Sequence, residues 1–440
     1  MLPSYQELNI ISEKLRKAVV ATLNLKATDR VFAGNEEKMF LYSLMLHMPN
    51  SQHKTTVKIK DHKEITLYKM IDIWNAEIEK RQKNKQAQIL SERIRYFLIA
   101  IRALLIKTRH LIFLKHRLKH ASTIVHYTAH LRYASFTIPD LTSLFFKCDE
   151  KKDIGLRNLF NINLSKVGLE PILVEYLTSL FPTSHLESYL KFTAHEMSNI
   201  KKIDTVVTSM AGICGDPLLS FLVKNNNCRL VYVQHGGGYG LNKNHLTHKI
   251  EDDGADLMYY WGTGDNNVYP TRYRDKYFSK MCHKAIIVLS DKEDNTTIKP
   301  YVGLVKKLTN KHISCIIAAH PNGPKFGHKY IQLGIGYRQH EKAQLVIYDR
   351  IGNSLFYTRI LTKRPFLIVD SYVLYPQSDN AIKLIALLRE AGILIPFNEV
   401  EQNINYWMQF SPKEAKLEFE KKAHLIFNHV LNQPKIQEIF

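Results

Sequence analysis

The chain has 440 residues, of which 45% are hydrophobic and 23% are charged. This composition excludes a wholly disordered protein and is enough for two or three domains with hydrophobic cores. The net charge of +20 at pH 7 favours an anionic partner, such as a nucleic acid, an anionic lipid or a phosphorylated substrate.

The cysteines and the apolar segments bear on the compartment. The five cysteines are scattered, without a CxxC pair or the spacing of metal ligands, which predicts reduced thiols and no metal site. The first residues lack the basic and then apolar pattern of a signal peptide. The most apolar segment, residues 96–114, contains three cationic side chains and is therefore not predicted to span a membrane. These features predict a cytoplasmic protein.

The amino-terminal region, residues 1–135, is predicted to be mainly helical and basic. Apolar residues recur with helical spacing over 6–25, 67–85 and 91–120, and residues 55–60 alternate like a short strand. Farther along, the charged residues 149–153 interrupt the helical pattern and are predicted to form a loop. Two more helices are predicted over 169–181 and 184–197.

A basic stripe within this region has two possible interpretations. Arg95, Arg102, Arg109 and His116 are seven residues apart, so a helix would carry them as one polar stripe beside a broad apolar face; Lys107 lies between them in sequence. Such a helix suits the surface of an anionic membrane. It equally suits an internal helix with a solvated charged stripe, and the periodicity does not separate the two.

From residue 203 the pattern changes to strands that alternate with helices. This alternation is typical of an α/β fold with parallel sheets covered on both faces. The predicted strands are residues 203–208, 230–234, 256–261, 284–289, 313–319, 343–348 and 365–369. The predicted helices are residues 216–224, 299–309, 353–361, 380–391, 399–409 and 411–431.

A glycine-rich loop follows the apolar strand 230–234. His235 directly follows that strand and precedes Gly236, Gly237 and Gly238. In open α/β sheets ligands bind beyond the carboxyl ends of strands, and glycines let the backbone approach a ligand closely. The spacing fits neither a dinucleotide fingerprint nor a P-loop. The loop is interpreted as binding anionic oxygens, with a tight crossover turn as the alternative.

Three further strand ends carry candidate residues. His320 and Pro321 end the strand 313–319, and this histidine could bind a phosphate or carry a proton. After the strand 343–348, Asp349, Gly352, Asn353 and Ser354 form a turn into a helix whose amides suit a phosphate. Asp216 is a candidate general base near the end of the strand 203–208. Ordinary capping is the alternative interpretation at each of these places.

Several of these segments resemble a known family. Residues 208–218, 233–240, 260–262 and 389–394, above all the string Gln-His-Gly-Gly-Gly-Tyr-Gly, resemble bacterial surface-carbohydrate transferases related to GT-B glycosyltransferases such as capsule Kdo transferases. His320-Pro321 resembles the His-Pro loop of CMP-sugar transferases of GT-B type. Asn353-Ser354 matches their Ser/Thr pair only in part, and Thr358-Arg359 stands where related enzymes often have a glutamate.

The resemblance implies a metal-independent glycosyltransferase with two Rossmann-like halves that face a cleft. Residues 136–255 would form the acceptor half, 256–410 the donor half, and 411–440 a helix that crosses back. A nucleotide-sugar, with CMP-sugars favoured, would donate to a surface glycan or lipid-linked acceptor without a further cofactor. Asp216 or His235 would deprotonate the acceptor hydroxyl. The basic helix would hold the enzyme at the inner face of the cytoplasmic membrane.

Two other function classes remain open. The basic amino-terminal region could bind nucleic acid, although its cations are not interleaved with a stacking platform. A GT-B-shaped sugar-nucleotide epimerase, or an inactive relative, would share the fold. Nucleotide-sugar hydrolysis without an acceptor, or none at all, would separate these proteins from a transferase.

Overall fold

A computed structural model gives the architecture of the chain. It describes residues 4–27, 32, 35–47, 123–126, 137–138, 153–181, 186–187, 205–208, 229–270, 281–289, 295–319, 329–333, 337–353, 355–371, 374–435 and 439. The predicted strand 55–60 and the predicted helices 67–85, 91–120 and 216–224 lie outside these residues, as does most of 184–197. The basic stripe of Arg95, Arg102 and Arg109 also lies outside them, as does Lys107.

The chain divides into two compact units. The amino-terminal unit comprises residues 1–233 and 246–258, and the carboxyl-terminal unit comprises residues 234–245 and 259–440. This division differs from the predicted boundary at residue 255, because the loop 234–245 packs within the carboxyl-terminal unit. There the Lys243 N–H donates to the Tyr375 carbonyl at 2.8 Å, and the Gln377 N–H donates to the Gly240 carbonyl at 2.8 Å.

The amino-terminal unit contains a parallel sheet and flanking helices. Its described strands follow the order β2-β1-β3-β4-β5. This order changes direction between β1 and β3, which pair in parallel from Thr123 opposite Thr205. The elements are α1 Tyr5–Thr22, α2 Glu36–His47, β1 Thr123–His126, β2 Thr137–Ile138, α3 Ile154–Lys166, α4 Pro171–Leu180, β3 Thr205–Thr208, β4 Arg229–Val233, α5 Leu246–Gly254 and β5 Leu257–Tyr259.

Helix α1 shows how local sequence and packing cooperate in this unit. It begins at a capping box, in which the Ser4 hydroxyl accepts from the Glu7 N–H and the Glu7 carboxylate accepts from the Ser4 N–H. Its buried side chains recur every three or four residues and include Leu8, Leu15 and Val19. This face packs against α3, as the 3.0 Å hydrogen bond from Asn163 to Thr22 shows.

The carboxyl-terminal unit contains a second parallel sheet. From one edge to the other, its described strands run β8-β7-β6-β9-β10-β11. This is the strand order of a Rossmann sheet, which changes direction between β6 and β9. The elements are β6 Cys282–Val288, α6 Asn295–Asn310, β7 Cys315–Ala319, β8 Ile331–Leu333, α7 Tyr337–Lys342, β9 Ala343–Tyr348, α8 Leu355–Thr362, β10 Phe366–Val369, α9 Asp379–Glu390, β11 Leu394–Ile395, α10 Val400–Trp407, α11 Pro412–Lys422 and α12 His424–Leu431.

Two parallel sheets with intervening helices confirm the predicted α/β class. The central strands β9 and β10 are buried along their whole length, which is why their residues are apolar apart from Gln344 of β9. The Cys315 thiol in β7 is buried, and burial raises its pKa to about 12, as expected for an unreactive core cysteine. Cys282, by contrast, is exposed. Among the residues that the structure describes, no helix is long and apolar enough to cross a membrane.

The last helices complete the core of the carboxyl-terminal unit. The predicted single helix 411–431 is instead two helices, because the chain leaves helical geometry at Ala423, with φ −101° and ψ 10°. The Phe419 ring of α11 lies 5.3 Å from the Phe366 ring of β10 and 5.7 Å from the Trp407 ring of α10. The carboxyl-terminal helices therefore cover the sheet of their own unit.

A capping substitution would measure how much the local sequence contributes to α11. Ser411 and Glu414 form a second capping box, with the Ser411 hydroxyl accepting from the Glu414 N–H at 3.4 Å. We expect Ser411→Ala to lower the free energy of unfolding by about 1 kcal/mol, because a helix amide loses its acceptor. Urea unfolding would measure the change, and Ser411→Asp, which keeps an acceptor, should restore most of it.

Candidate active site

The sheet of the carboxyl-terminal unit places Asp349 at its change of direction. This residue follows β9, and its N–H donates to the Val288 carbonyl of β6 at 3.1 Å. Its carboxylate is buried, with Arg350 Nε 3.3 Å from Oδ2. The Ser371 hydroxyl donates to the Asp349 carbonyl at 2.7 Å and joins this turn to the end of β10. Ligands of open α/β sheets bind at such a change of direction.

The turn after Asp349 leads into α8. Gly352 has a φ of +104°, a conformation that side chains other than glycine rarely adopt. Asn353 is nearly buried, and its Oδ1 accepts from the Leu355 N–H at 2.9 Å. The first amides of α8 therefore follow directly on the turn, in the arrangement that binds anionic groups at helix starts.

The glycine loop, residues 234–245, is held at its base by Gln234. This side chain is buried, and its Nε2 donates to the Gly236 carbonyl at 2.6 Å. Its Oε1 accepts from the Trp261 N–H at 2.7 Å. Both ends of the amide are thus used to shape the loop, which gives Gln234 in the motif a structural role.

His235 is partly exposed in the glycine loop and contacts Tyr239. The Tyr239 hydroxyl lies 2.7 Å from His235 Nδ1, and the two rings meet edge to face with centroids 5.0 Å apart. Tyr239 itself is buried. The ring of His235 is therefore fixed from within the protein, while part of it stays open to solvent. This is the geometry expected of a histidine that meets a ligand or carries a proton.

The glycine loop and the Gly352 turn lie side by side. A Cβ atom built on Gly352 would lie 3.7 Å from the Cα of Gly238, so the two backbones approach within van der Waals distance. Two regions that are distant in sequence thus meet at the carboxyl end of one sheet. The structure brings together the predicted site residues Gly236, Gly237, Gly238, Gly352 and Asn353 in one unit, with His235 and Asp349 on the same two loops.

Burial near the glycine loop keeps the Tyr357 hydroxyl protonated. Tyr357 of α8 is buried, and its ring lies edge to face with Trp261 at 5.1 Å. Burial raises the pKa of the Tyr357 hydroxyl far above its ordinary value, although Gln234 and Thr263 act in the opposite direction.

Several supporting residues escaped the sequence interpretation. A bracing layer, formed by the turn 261–264, the segment 374–380 and His429, packs against the glycine loop. The Thr263 hydroxyl donates to the Tyr239 carbonyl at 2.8 Å, and the Ser378 hydroxyl donates to the Thr263 carbonyl at 2.7 Å. A local signal existed for Tyr239, which lies within the motif, and for Trp261 and Gly262, which lie in the segment 260–262 that resembles the family.

Besides the basic residues named above, four residues predicted to bind the donor or act as the base lie outside the described part of the chain. They are the candidate base Asp216, the His320-Pro321 pair and Ser354. Among the described residues, no group of three or more histidine, cysteine, aspartate or glutamate side chains has the geometry of a metal site. The roles of the four residues stay predictions.

A family comparison covers more than half of the chain. The sequence model of the LIC12162 family transferases matches residues 27–337. The chain belongs to this family. The match includes the amino-terminal residues 27–200, to which the sequence resemblance did not extend, and it includes the glycine loop. A protein of this family is a transferase, which confirms the predicted enzyme class at that level. No curated protein matches the chain.

Solved structures similar to this LIC12162 family transferase are glycosyltransferases. The spinosyn forosaminyltransferase SpnP is 10% identical, with 62% of this chain and 82% of that chain covered and a TM-score of 0.35. SnogD from Streptomyces nogalater is 11% identical, with 66% and 79% covered and a TM-score of 0.34. SsfS6 from Streptomyces sp. SF2575, complexed with thymidine diphosphate, is 10% identical, with 66% and 78% covered and a TM-score of 0.32.

Proposed function

We propose that this transferase is a glycosyltransferase, which moves a sugar from a nucleotide-sugar donor to a cell-surface glycan or a lipid-linked acceptor. The observation that carries the proposal is the side-by-side packing of the Gly352 turn and the glycine loop at the carboxyl end of a sheet with Rossmann strand order. Such a place in an α/β sheet binds nucleotides, because strand-end loops and helix amides converge there.

The donor would lie with its phosphate on the turn into α8. Gly352 lets the backbone approach the phosphate closely, and the amides after Asn353 supply positive partial charge. In the proposal, Ser354 and the His320-Pro321 pair add contacts to the phosphate, and no metal ion is required. The resemblance to CMP-sugar transferases makes a CMP-sugar the favoured donor.

The reaction would be a single displacement of the nucleotide by an acceptor hydroxyl. A base, Asp216 or His235, takes the hydroxyl proton as the acceptor oxygen forms its bond to the anomeric carbon. The bond from that carbon to the donor phosphate breaks, and the phosphate leaves with the electron pair. Amides at the start of a helix stabilise the charge that grows on the leaving group.

The enzyme would work in the cytoplasm, at the inner face of the cytoplasmic membrane. Lipid-linked acceptors are found at such a surface, and the basic stripe of Arg95, Arg102 and Arg109, with Lys107 nearby in sequence, has the charge to bind anionic lipid. Between residues 80 and 119 the sequence has twelve lysines and arginines and one acid, Glu92. This placement rests on the sequence and is part of the proposal.

A thermal-shift screen tests the donor class. The purified protein would be heated with CMP, UDP, GDP, ADP and a non-specific RNA. We expect CMP alone to raise the melting temperature, since a ligand at about 100 times its Kd stabilises by about 2.7 kcal/mol. The shift should disappear in His320→Ala and Gly352→Ala and persist in Gly303→Ala, where a Cβ meets nothing within 4 Å.

The other outcomes of this screen are equally informative. A shift with UDP alone would keep the glycosyltransferase proposal and discard the CMP preference. A salt-sensitive shift with RNA and none with any nucleotide would overturn the proposal in favour of nucleic-acid binding. Once a donor class is known, nucleotide release that requires an added acceptor would separate transfer from hydrolysis or epimerisation.

A further inference from the structure

The carboxyl-terminal helix α12 reaches the turn that supports the glycine loop. His429 Nε2 lies 2.7 Å from the Gly262 carbonyl oxygen and 3.2 Å from the Asn380 carbonyl oxygen. Both partners are acceptors, so Nε2 carries a proton and donates to them. The side chain therefore joins three parts of the carboxyl-terminal unit at one atom.

Helix α12 packs closely against the turn 261–264. Gly262 has a φ of +80°, and a Cβ atom on it would lie 3.3 Å from Val430 Cγ2. The backbone of the turn thus packs directly on the helix. Burial lowers the pKa of His429, although its two carbonyl partners act in the opposite direction, so its ring is a neutral donor at pH 7.

From this turn the contacts continue to His235. Thr263, the next residue, is fully buried and donates its hydroxyl to the Tyr239 carbonyl at 2.8 Å. Gly240 lies so close to Thr263 that a Cβ on it would be 2.5 Å from the Thr263 carbonyl oxygen. At the other end of Tyr239, the hydroxyl lies 2.7 Å from His235 Nδ1. The path from His429 to His235 therefore passes through buried residues in direct contact.

We propose that His429 is a positioning residue, which holds the turn 261–264 against Tyr239 and thereby fixes the ring of His235. The inference rests on the proposed function only in treating His235 as a residue of the active site. His429 itself touches neither His235 nor, in this proposal, the substrate. Its effect depends on the geometry of the turn, so removing the hydrogen bond should change the environment of His235 without removing any group from the site.

Nuclear magnetic resonance of the full chain, labelled with ¹³C in its histidine rings, tests the proposal without an activity assay. The signal of His235 is identified by its loss in His235→Gln. We expect His429→Ala to shift or broaden this signal. We expect His429→Gln, whose amide can still donate to the Gly262 carbonyl, to restore its position. Ile426→Ala is the matched control, because Ile426 is buried in the same helix.

The comparison of these variants decides between positioning and mere support of the fold. If Ile426→Ala lowers the melting temperature as much as His429→Ala and leaves the His235 signal in place, the effect is specific. If both variants shift the signal equally, or if His429→Ala leaves it unchanged, the proposal is wrong. Should His429→Ala fail to fold, His429→Asn, with a shorter amide, replaces it in the same comparison with His429→Gln.

Kinetics provide a second measurement once a donor and an acceptor are known. Displacing a catalytic group by about 1 Å lowers turnover by about 100-fold, so kcat should fall by about that factor or less in His429→Ala. KM for the donor should stay close to that of the unsubstituted protein, and His429→Gln should recover most of kcat. Absence of glycosyl transfer in the unsubstituted protein would discard the proposed function, whereas the resonance of His235 would still decide the role of His429.

Discussion

Replacing Gly240 with alanine is expected to lower the free energy of unfolding by about 3 kcal/mol, through backbone strain and overpacking. Gly240 has a φ of +71°, which alanine adopts only with strain, and the added Cβ would lie 2.5 Å from the Thr263 carbonyl oxygen. The obstacle is backbone and side chain of a fully buried residue, which cannot rotate away. Urea unfolding of the purified variant would measure the loss.

The matched substitution is Gly303→Ala, with the opposite expected sign. Gly303 lies inside helix α6, and a Cβ there meets nothing within 4 Å. Alanine should stabilise the helix by about 0.5–1 kcal/mol, because the unfolded chain loses freedom that glycine has. If both alanine variants had the same stability as the unsubstituted protein, the close packing of Gly240 on Thr263 would be contradicted.

Glu341→Gln is expected to cost about 3 kcal/mol, as is typical when one partner of a buried ion pair is removed. The carboxylate lies in α7, where His340 Nδ1 is 3.1 Å from one oxygen and Arg364 is 3.7 Å from the other. Both partners and Glu341 are buried. Without the negative charge, the guanidinium of Arg364 would be left in the interior without its counterion. Urea unfolding at pH 7 would measure the cost.

The pH dependence of this variant has a definite sign. Burial acts to raise the pKa of Glu341, but the His340 hydrogen bond and the charges of Arg359, His340 and Arg364 together hold it below its ordinary value. A carboxyl with a lowered pKa in the folded state stabilises above its ordinary pKa, which is about 4.3, and the contribution is lost as pH falls through the folded value. The difference between the two proteins should therefore shrink as pH falls below about 4.

Glu401→Gln provides a surface control for the same charge change. Glu401 binds Lys311 at 2.8 Å and Lys307 at 3.6 Å, but the lysine side chains are 53% and 69% exposed. Exposed pairs of this kind contribute about 0–1 kcal/mol, because water and salt screen them. If Glu401→Gln lowered the free energy of unfolding as much as Glu341→Gln, burial of the Glu341 cluster would not be the reason for its contribution to stability.

Local patterns were sufficient for the four central strands of the carboxyl-terminal unit, β6, β7, β9 and β10, although the short buried strand β11 was not predicted. Strand β9, Ala343–Tyr348, has the predicted bounds, because a strand buried on both faces is rich in apolar side chains. Its one polar side chain, Gln344, donates to the Trp407 and Phe410 carbonyls. Strand β1, within the region predicted to be mainly helical, and strand β2, just after that region, were missed. They have four and two residues, too few for a periodicity to be visible.

The candidate site was also predictable only where a local sequence pattern marks it. The glycine loop and the Gly352 turn were predictable, since glycines after an apolar strand indicate a strand-end loop. Their side-by-side packing was not, because it is a tertiary contact between Gly238 and Gly352, which lie far apart in sequence and follow strands of different sheets. The contact of His429 with Gly262 joins residues that are 167 positions apart, so no local sequence pattern predicts it.

The interleaved course of the chain has a consequence for how such proteins can diversify. The glycine loop, residues 234–245, belongs to the carboxyl-terminal unit. In sequence, however, it precedes residues 246–258, which are the last segment of the amino-terminal unit. A single recombination point at residue 259 would therefore separate this loop from Thr263, Ser378 and His429, which brace it. New specificities should arise by substitution within the loops, or by exchange of a piece that begins before residue 234, and not by swapping halves at residue 259.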